Sequence, residues 1–186
     1  MDELARFAAD AADGDPLAAA ALVRATQADV WRLCAALGDR GSADDLTQET
    51  YLRAFGSLHR FEGRSSVRTW LLSIARRVCA DAVRASRRRR LVLVAEDADL
   101  EALDRDAQAE ALGERVVGAA VVDDLLGRLL PERREAFVLT QLLGLPYAEA
   151  AAVAGCPVGT IRSRVARARG DLVALLRNRG DDAARG

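Results

Sequence analysis

Apolar residues recur at three- and four-residue intervals along most of the chain, which is the spacing that places them on one face of an α-helix. The clearest stripe consists of four residues, Ile161, Val165, Ala168 and Leu172. Pro157 precedes this stripe, and a shorter alanine-rich segment, 147–154, ends at Gly155. Proline is favoured at helix starts and glycine just after helix ends. The pattern predicts a short helix, a tight turn and a longer basic helix, which is a helix-turn-helix.

The same periodicity predicts helices along most of the remaining chain. Asp15 and Pro16 provide a capping residue and a first helical position, and the helix that they start extends to about Leu37. Ser42 is expected to cap a second helix. Further helices are predicted over residues 67–88, 116–129 and 131–143. Residues 1–14 are predicted to be a frayed lead-in.

These elements predict an all-α fold of two small helical domains joined by a flexible acidic linker. The predicted first domain covers residues 1–90, the linker 91–114, the second domain 115–178 and a tail 179–186. The helix-turn-helix belongs to the second domain. With 186 residues, of which 51% are hydrophobic, the chain can bury real cores. Alanine runs and only 4% aromatic residues favour helices over strands.

The net charge of -1 conceals a strong segregation of charge along the chain. Residues 60–90 contain ten arginines and two acidic residues, whereas residues 91–124 contain ten acidic residues and two arginines. Residues 1–59 are acidic and residues 125–186 are basic. All 27 basic residues are arginine, whose planar guanidinium suits phosphates and guanine edges. Two basic blocks predict two nucleic-acid-binding surfaces, with acidic faces left for a protein partner.

Catalytic and metal chemistry find no support in the sequence. The three cysteines are scattered without a paired spacing and are expected to be buried free thiols. His59 has no partner nucleophile or ligand set, and there is no glycine-rich phosphate loop. The sequence therefore predicts no catalytic residue, no metal and no cofactor. Without a signal peptide or an apolar run of about 18 residues, it predicts a soluble cytoplasmic protein that does not insert into a membrane.

Three stretches contain the candidate functional residues. The second helix carries a polar patch, formed by Asp45, Gln48 and Glu49. This patch is either a solvated face or a partner-binding site. The loop at 59–66 precedes an arginine-rich helix, whose charge exceeds what helix capping requires and favours nucleic-acid binding. Gly159 and Thr160 begin the basic helix of the helix-turn-helix, where free N–H groups allow close approach to phosphate. The alternative for that helix is a solvated element of an ordinary bundle.

Together these stretches resemble the extracytoplasmic-function (ECF) sigma factors of bacterial RNA polymerase. The resemblance covers about residues 14–178 and rests on DDLTQETYLRAF (44–55), FEGRSSVRTWLLSIARR (61–77) and GLPYAEAAAVAGCPVGTIRSRVARAR (144–169). A helix-turn-helix alone is weak evidence, but the three stretches in this order, separated by a variable linker, are strongly specific. Within the family, the chain is most similar to the actinobacterial sigma C group.

The resemblance implies a role for each stretch. Core RNA polymerase, through its beta and beta-prime subunits, would bind Asp44, Asp45, Gln48, Glu49 and Arg53. Single-stranded minus-10 promoter DNA would be opened and read by His59, Arg60, Phe61, Glu62, Gly63, Arg64, Ser65, Ser66, Arg68, Arg76, Arg77, Arg84, Arg87 and Arg88. Duplex minus-35 DNA would be read by Pro157, Val158, Gly159, Thr160, Arg162, Ser163, Arg164 and Arg167. The acidic linker would pass near the polymerase active centre. An anti-sigma factor is a further candidate partner.

A helix-turn-helix transcriptional regulator that does not act as a sigma subunit is the alternative interpretation. Such a protein also carries a basic helix-turn-helix. It would need a dimerisation or ligand-binding domain in place of the first basic block and the acidic patch, so the sequence favours the sigma factor. Trp70 is expected to pack against the core rather than to stack on a base.

Overall fold

The computed structural model describes residues 2–38, 40–96 and 115–183, and within them the chain forms α-helices and no strand. The first region consists of α1 (Glu3–Ala12), α2 (Pro16–Leu37), α3 (Ala43–Ser57) and α4 (Val67–Glu96). The second region consists of α5 (Arg115–Gly127), α6 (Pro131–Phe137), α7 (Tyr147–Ala154) and α8 (Val158–Ala183). The predicted all-α class is confirmed.

The start of the chain differs from the prediction, because the expected lead-in forms α1. Ala8 is buried, and apolar neighbours at helical spacing pack beside it, namely Leu4, Ala5, Phe7 and Ala11. This stripe lies against α2. The side chain of Asp2 makes no capping hydrogen bond, so α1 is stabilised by packing rather than by its cap.

Local signals explain how α2 begins and ends. The Leu17 amide donates a hydrogen bond of 2.8 Å to the Asp15 carboxylate, which confirms the predicted start of α2. A β-carbon at Gly38 would lie 2.5 Å from the Leu46 side chain, so glycine lets the end of α2 approach α3 closely. α3 begins directly after Ser42, as predicted, but the Ser42 side chain makes no capping hydrogen bond to this helix.

The core of the first region lies between α2, α3 and α4. Its most buried large side chains come from α2 and α4 and include Leu22, Leu33, Leu71 and Leu72. Cys34 and Cys79 are buried free thiols as predicted, whereas Cys156 is only half-buried. The hydrogen bond to the Cys34 thiol, together with burial, raises the pKa of Cys79. The Cys79 thiol therefore stays protonated and packs as a small apolar side chain.

Two helices are longer than the sequence predicts. α4 continues to Glu96, into the stretch predicted to be a linker from residue 91. The added residues, LVLVAE, contain neither glycine nor proline and are compatible with helix. Residues 97–114, the remainder of the predicted linker, lie outside the described residues. α8 continues to Ala183, beyond the predicted end of the second domain at 178. The domain boundaries stay predictions.

The second region contains the predicted helix-turn-helix. α7 ends at Gly155, whose φ of 64° lies in the left-handed region that favours glycine. α8 follows after a short turn, and its stripe of Ile161, Val165 and Ala168 is buried. A single π-helical turn, Val138–Leu142, follows α6 and leads into the helix-turn-helix.

The two regions pack against each other. Buried residues of both belong to one continuous hydrophobic core. α4 packs against α7, and α2 packs against α6. Arg134 of α6 donates hydrogen bonds to the carbonyl oxygens of Gly127, at 2.6 Å, and of Ala36 at the end of α2, at 3.4 Å. Burial lowers the pKa of Arg134. The favourable interaction of a guanidinium with carbonyls at a helix C-terminus supports this contact.

Candidate polymerase-binding and nucleic-acid interfaces

The acidic face of α3, defined as Asp44, Asp45, Gln48 and Glu49, contains most of the residues predicted to bind core polymerase. Asp45 and Gln48 are exposed, and Asp45 has no ion-pair partner among the described residues. Asp44 accepts a hydrogen bond of 2.8 Å from Trp31 Nε1, which holds its carboxylate toward α2. Asp45 and Gln48 are therefore the members of this face that are most available to a partner.

Arg53, the remaining predicted polymerase contact, joins α3 to α4. Its guanidinium lies 2.7 Å from the Glu49 carboxylate and 2.8 Å from the Asp81 carboxylate. Asp81 also pairs with Arg84 at 2.5 Å. The guanidinium of Arg53, and then that of Arg84, lowers the pKa of Asp81. Arg53 is thus engaged in an exposed network, and Arg84 of the predicted minus-10 set belongs to the same network.

The loop predicted to read minus-10 DNA, residues 59–66, which we call the minus-10 loop, is open to solvent at most positions. Gly63 has a φ of 69°, which favours glycine at the tip of the loop. Arg64 and Glu62 form an ion pair, and Arg60 Nε donates a hydrogen bond of 3.2 Å to His59 Nε2. These four side chains are exposed, as are those of Ser65 and Ser66. Most side chains of this loop are therefore accessible from solvent.

One aromatic residue anchors the minus-10 loop to α4. Phe61 is half-buried, and its ring centroid lies 5.0 Å from that of Trp70. Trp70 is itself half-buried and packs against the core, as predicted. Such a tilted aromatic pair contributes about 0.5–1.5 kcal/mol beyond burial. The pair fixes where the loop leaves the helix.

The start of α4 contacts the second region. Ser66 caps α4, since its Oγ accepts a hydrogen bond of 3.1 Å from the Thr69 amide. The Glu149 carboxylate of α7 accepts hydrogen bonds from Thr69 Oγ1, at 2.5 Å, and from Ser66 Oγ, at 3.3 Å. Arg68 binds Asp29 of α2 at 2.6 Å and the Leu143 carbonyl oxygen at 2.6 Å. This part of the predicted minus-10 surface is therefore occupied by protein.

A second ion pair joins the middle of α4 to α6. Arg76 is paired with Glu135, whose side chain is only 9% exposed. Because a buried carboxylate is costly unless it is paired, this contact holds Arg76 against the second region. The structure thus engages three residues of the predicted minus-10 set, Ser66, Arg68 and Arg76, in contacts between the regions.

The remaining arginines of the predicted minus-10 set lie along the free side of α4. Arg77, Arg84, Arg87 and Arg88 are all exposed. Val67 and Arg87 are twenty residues apart on one helix, which at about 1.5 Å per residue is roughly 30 Å. The structure therefore does not gather the predicted minus-10 residues into a single site. It places the loop at one end of α4 and an arginine group at the other.

The start of α8, predicted to read minus-35 DNA, is open to solvent. Gly159, Arg162, Ser163 and Arg167 are exposed, while Val158, Thr160 and Arg164 are half-buried. Pro157 is exposed and precedes the helix. Arg164 Nη1 lies 3.7 Å from Cys156 Sγ in the turn, whereas Arg162 has no ion pair among the described residues. The predicted minus-35 residues therefore lie together in the first turns of α8 and just before it, and most of them are exposed.

Sequence reasoning missed the acidic residues that join the two regions. Glu135 precedes Val138 and Leu139 at helical spacing on a buried face, and a carboxylate within an apolar stripe is a signal that a charged partner lies opposite. Glu149 had no comparable signal, since it lies in the short helix before Gly155 and its partners are hydroxyls far away in the sequence.

The described ranges hold neither a metal-binding cluster nor a membrane-spanning helix. No cluster of three or more histidine, cysteine, aspartate or glutamate side chains there has the arrangement needed to hold a metal ion. No described helix is long and apolar enough to cross a membrane.

Known proteins match this chain over both regions. The sigma-70 region 2 family model matches residues 22–89, and the sigma-70 region 4 model matches residues 119–172. The RNA polymerase sigma factor SigC of Mycobacterium tuberculosis is 54% identical over 169 residues, which are 90% of this chain and 88% of the relative. EcfG of Rhodopseudomonas palustris is 39% identical, over 75% of this chain and 74% of the relative.

Two solved structures resemble the whole arrangement. CnrH, solved in complex with the cytosolic domain of CnrY, superposes with a TM-score of 0.73 at 29% identity, over 95% of this chain and 99% of that chain. RpoE of Bartonella quintana, solved in complex with the anti-sigma factor NepR, superposes with a TM-score of 0.63 at 29% identity, over 83% of this chain and 94% of that chain.

Two sigma-70 regions in this order, on a helical fold with an open helix-turn-helix, define a sigma factor of bacterial RNA polymerase. With this degree of identity over nearly the whole chain, the protein belongs to the ECF family of sigma factors and is similar to sigma C. It is a transcription initiation factor that binds core RNA polymerase and directs initiation at specific promoters. The alternative of a regulator outside the sigma family is not supported, because the region 2 model covers the first basic block.

Proposed function

We propose that this sigma factor uses three surfaces: the acidic face of α3 binds core polymerase, whereas the minus-10 loop with the free side of α4 and the start of α8 recognise the promoter. The observation that carries the proposal is the start of α8. There Ile161, Val165 and Ala168 are buried, while Arg162 and Arg167 are exposed. A helix that buries one stripe and offers arginines at its start suits a duplex major groove.

The acidic face of α3 binds core polymerase in this proposal. Asp45 and Gln48 are exposed, and Asp45 lacks a cationic partner among the described residues, so a basic partner surface can supply one. Arg53 has a supporting role, because it orients Glu49 and ties α3 to α4.

Charge reversal tests this role. Asp45→Arg together with Glu49→Arg should weaken core-polymerase binding by several kcal/mol, measured by fluorescence titration. The matched control is Asp10→Arg with Asp13→Arg, which makes the same charge change at exposed positions on or just after α1. An affinity equal to that of the control, with helix content intact by circular dichroism, excludes the acidic face as the main contact.

The minus-10 loop reads separated strands in this proposal, and the start of α8 reads a duplex. The loop is exposed and flanked by arginines, which suits a strand whose bases are splayed out and whose phosphates follow a cationic surface. Residues 91–114 act as an acidic connection through the polymerase, since their composition mimics nucleic acid.

The proposal also covers how the protein acts and where in the cell it acts. The protein acts by binding rather than by catalysis, and it works in the cytoplasm, where promoter DNA and polymerase are found. An anti-sigma factor is a proposed partner, because CnrH and RpoE were solved with CnrY and with the anti-sigma factor NepR respectively.

A further inference from the structure

α1 lies outside the part of the chain that matches a family model, since the sigma-70 region 2 match begins at residue 22. Its apolar side is nevertheless packed: Ala8 is buried, and Leu4 and Phe7 pack against the same core. The helix has only 10 residues and no side-chain cap. Isolated helices shorter than about 12 residues are marginal in water, so α1 depends on this packing for its stability.

The contacts of α1 reach the start of the minus-10 loop. A short 3₁₀ turn, Leu58–Arg60, joins α3 to this loop and contains the first two loop residues, His59 and Arg60. α1 packs against this turn and against α4, the helix that follows the loop, as well as against α2. Leu58 is buried, and its carbonyl oxygen accepts a hydrogen bond of 2.9 Å from the Phe61 amide. α1 thus supports the chain where it enters the loop.

The minus-10 loop is held mainly at its two ends. Phe61 packs against Trp70 at the first end, and Ser66 caps α4 at the other. Between them, residues 62–65 are exposed, and their ion pair, Arg64 with Glu62, lies within the loop itself. Segments with few buried contacts open locally at a low free-energy cost. The support of the first end by α1 therefore determines how firmly the loop keeps its arrangement.

We propose that α1 is a positioning element of the minus-10 loop, in which Leu4, Phe7 and Ala8 act through the 3₁₀ turn rather than by touching DNA. The inference rests on the proposed function, because it assumes that the loop reads the strand. While α1 is docked, the loop keeps the position that it has in this structure. If release of α1 leaves that position populated for about a tenth of the time, the apparent affinity for a melted minus-10 strand falls about tenfold.

Removing the packing of α1 tests this role. The test variant is Leu4→Ala with Phe7→Ala, which removes apolar contacts of α1 and changes no residue of α2, α3 or α4. A second variant, Ala8→Gln, places a larger polar side chain at a buried position of the same helix. The conservative variant, Leu4→Met with Phe7→Leu, keeps the apolar packing and should keep parent binding. Ala9→Ser, at an exposed position of α1, is the surface control.

Undocking of α1 is measured first, in the free chain. Its release should lower the helix content in circular dichroism by up to the 10 residues of α1. The chain has two tryptophans, so Trp31→Phe leaves Trp70 as a single reporter of the loop anchor. In that background the test variant should shift the Trp70 emission to longer wavelength and increase its quenching by acrylamide, because Phe61 covers the ring less firmly.

DNA binding is then measured with holoenzymes assembled from core polymerase and each variant. Forked DNA with a melted minus-10 element should bind the test variant and Ala8→Gln about tenfold more weakly than the parent. The conservative variant and Ala9→Ser should bind it with parent affinity. Affinities for core polymerase and for minus-35 duplex should stay unchanged in all four, since the acidic face of α3 and the start of α8 are formed by other elements.

A general loss of stability has its own control. Val30→Ala shortens a fully buried side chain of α2 and lowers the unfolding temperature without changing α1. Well below both unfolding transitions, equal weakening of forked DNA by Val30→Ala and by the test variant overturns the positioning role. Parent affinity of a test variant whose α1 has undocked overturns it too. If neither the test variant nor Ala8→Gln releases α1, this packing does not hold the helix and the proposal fails as well.

A loop variant, Arg60→Ala with Arg64→Ala, separates this proposal from the proposed function. If the loop variant weakens binding of forked DNA while the undocked test variant does not, only the role of α1 fails. If the loop variant leaves the binding of forked DNA unchanged, the proposed minus-10 role of the loop fails, and the role of α1 fails with it.

Discussion

The starts of α8 and α4 are both arginine-bearing helix starts predicted to contact promoter DNA, yet only α8 is free to do so. At the start of α8, Arg162 and Arg167 face solvent. At the start of α4, Arg68 is held by Asp29 and by the second region, and Thr69 donates to Glu149. In this arrangement the surface proposed to read duplex DNA is exposed, whereas the surface proposed to read a single strand is partly covered by the second region.

The physical cause of this difference is the position of each helix in the packing. α8 buries a single stripe against its own region and leaves the remaining faces to solvent. α4 lies in the middle of the molecule, packed between α2 and α3 on one side and the second region on the other. Full access to Ser66, Arg68 and Arg76 therefore requires the two regions to separate.

The largest effect is expected from reversing the charge of Glu135. Glu135→Arg places two guanidinium groups against each other where Arg76 now has a buried partner, and juxtaposed like charges cost several kcal/mol. We expect the regions to separate, with an increased radius of gyration in small-angle X-ray scattering and stronger binding of the free chain to single-stranded minus-10 DNA.

The control for this prediction is Glu132→Arg, an exposed position on the same helix. Retained binding of Glu135→Arg to minus-35 duplex verifies that the second region is still folded. An unchanged radius of gyration would mean that Arg76 and Glu135 do not hold the regions together.

Replacing Arg162 by alanine should have the next largest effect, confined to the duplex. A lost bidentate base contact costs about 1–3 kcal/mol, measured as the affinity of holoenzyme for a duplex that carries only the minus-35 element. Arg128→Ala removes an exposed arginine just after α5 and serves as the control. If Arg162→Ala weakens forked minus-10 DNA by the same factor, the two surfaces are not separate.

The hydroxyl contact between the regions should contribute less than the ion pair. Thr69→Val keeps the shape of the side chain and removes the donor to Glu149, and a hydrogen bond to a charged group contributes about 1.5–3 kcal/mol at most. A double-mutant cycle with Glu149→Gln, measured by thermal unfolding, should give a coupling energy of about 1 kcal/mol. A coupling energy of zero would show that Ser66 alone satisfies the carboxylate.

Local parts of this fold could be predicted from the sequence, and long-range contacts could not. Asp15, Gly155 and the stripe of α8 are signals within a few residues, and they predict α2 and the helix-turn-helix of α7 and α8. Glu149 acts through Ser66 and Thr69, more than 80 residues away, and no local pattern links them. The division of the minus-10 arginines between two ends of α4 follows from the length of that helix.

The smallest effect concerns Arg84, because its charge is already shared with Asp81, whereas Arg162 has no such partner. Asp81→Asn should free Arg84 for phosphate and steepen the salt dependence of forked minus-10 binding by about 0.7 units, with minus-35 binding unchanged.

The ion pairs of Asp81 with Arg53 and Arg84 should also make the stability of the fold depend on pH. The pKa of Asp81 is lowered in the folded state, so its stabilising contribution is present above the ordinary pKa of 3.8 and is lost as the pH falls through the lower folded value. An NMR titration of Asp81 in Arg53→Ala should move its pKa back toward 3.8, since Arg53 is the larger cause of the shift. If the pKa of Asp81 instead stays low in Arg53→Ala and rises only in Arg84→Ala, Arg84 is the stronger partner of Asp81. Arg84 would then be held by Asp81 and less available to DNA.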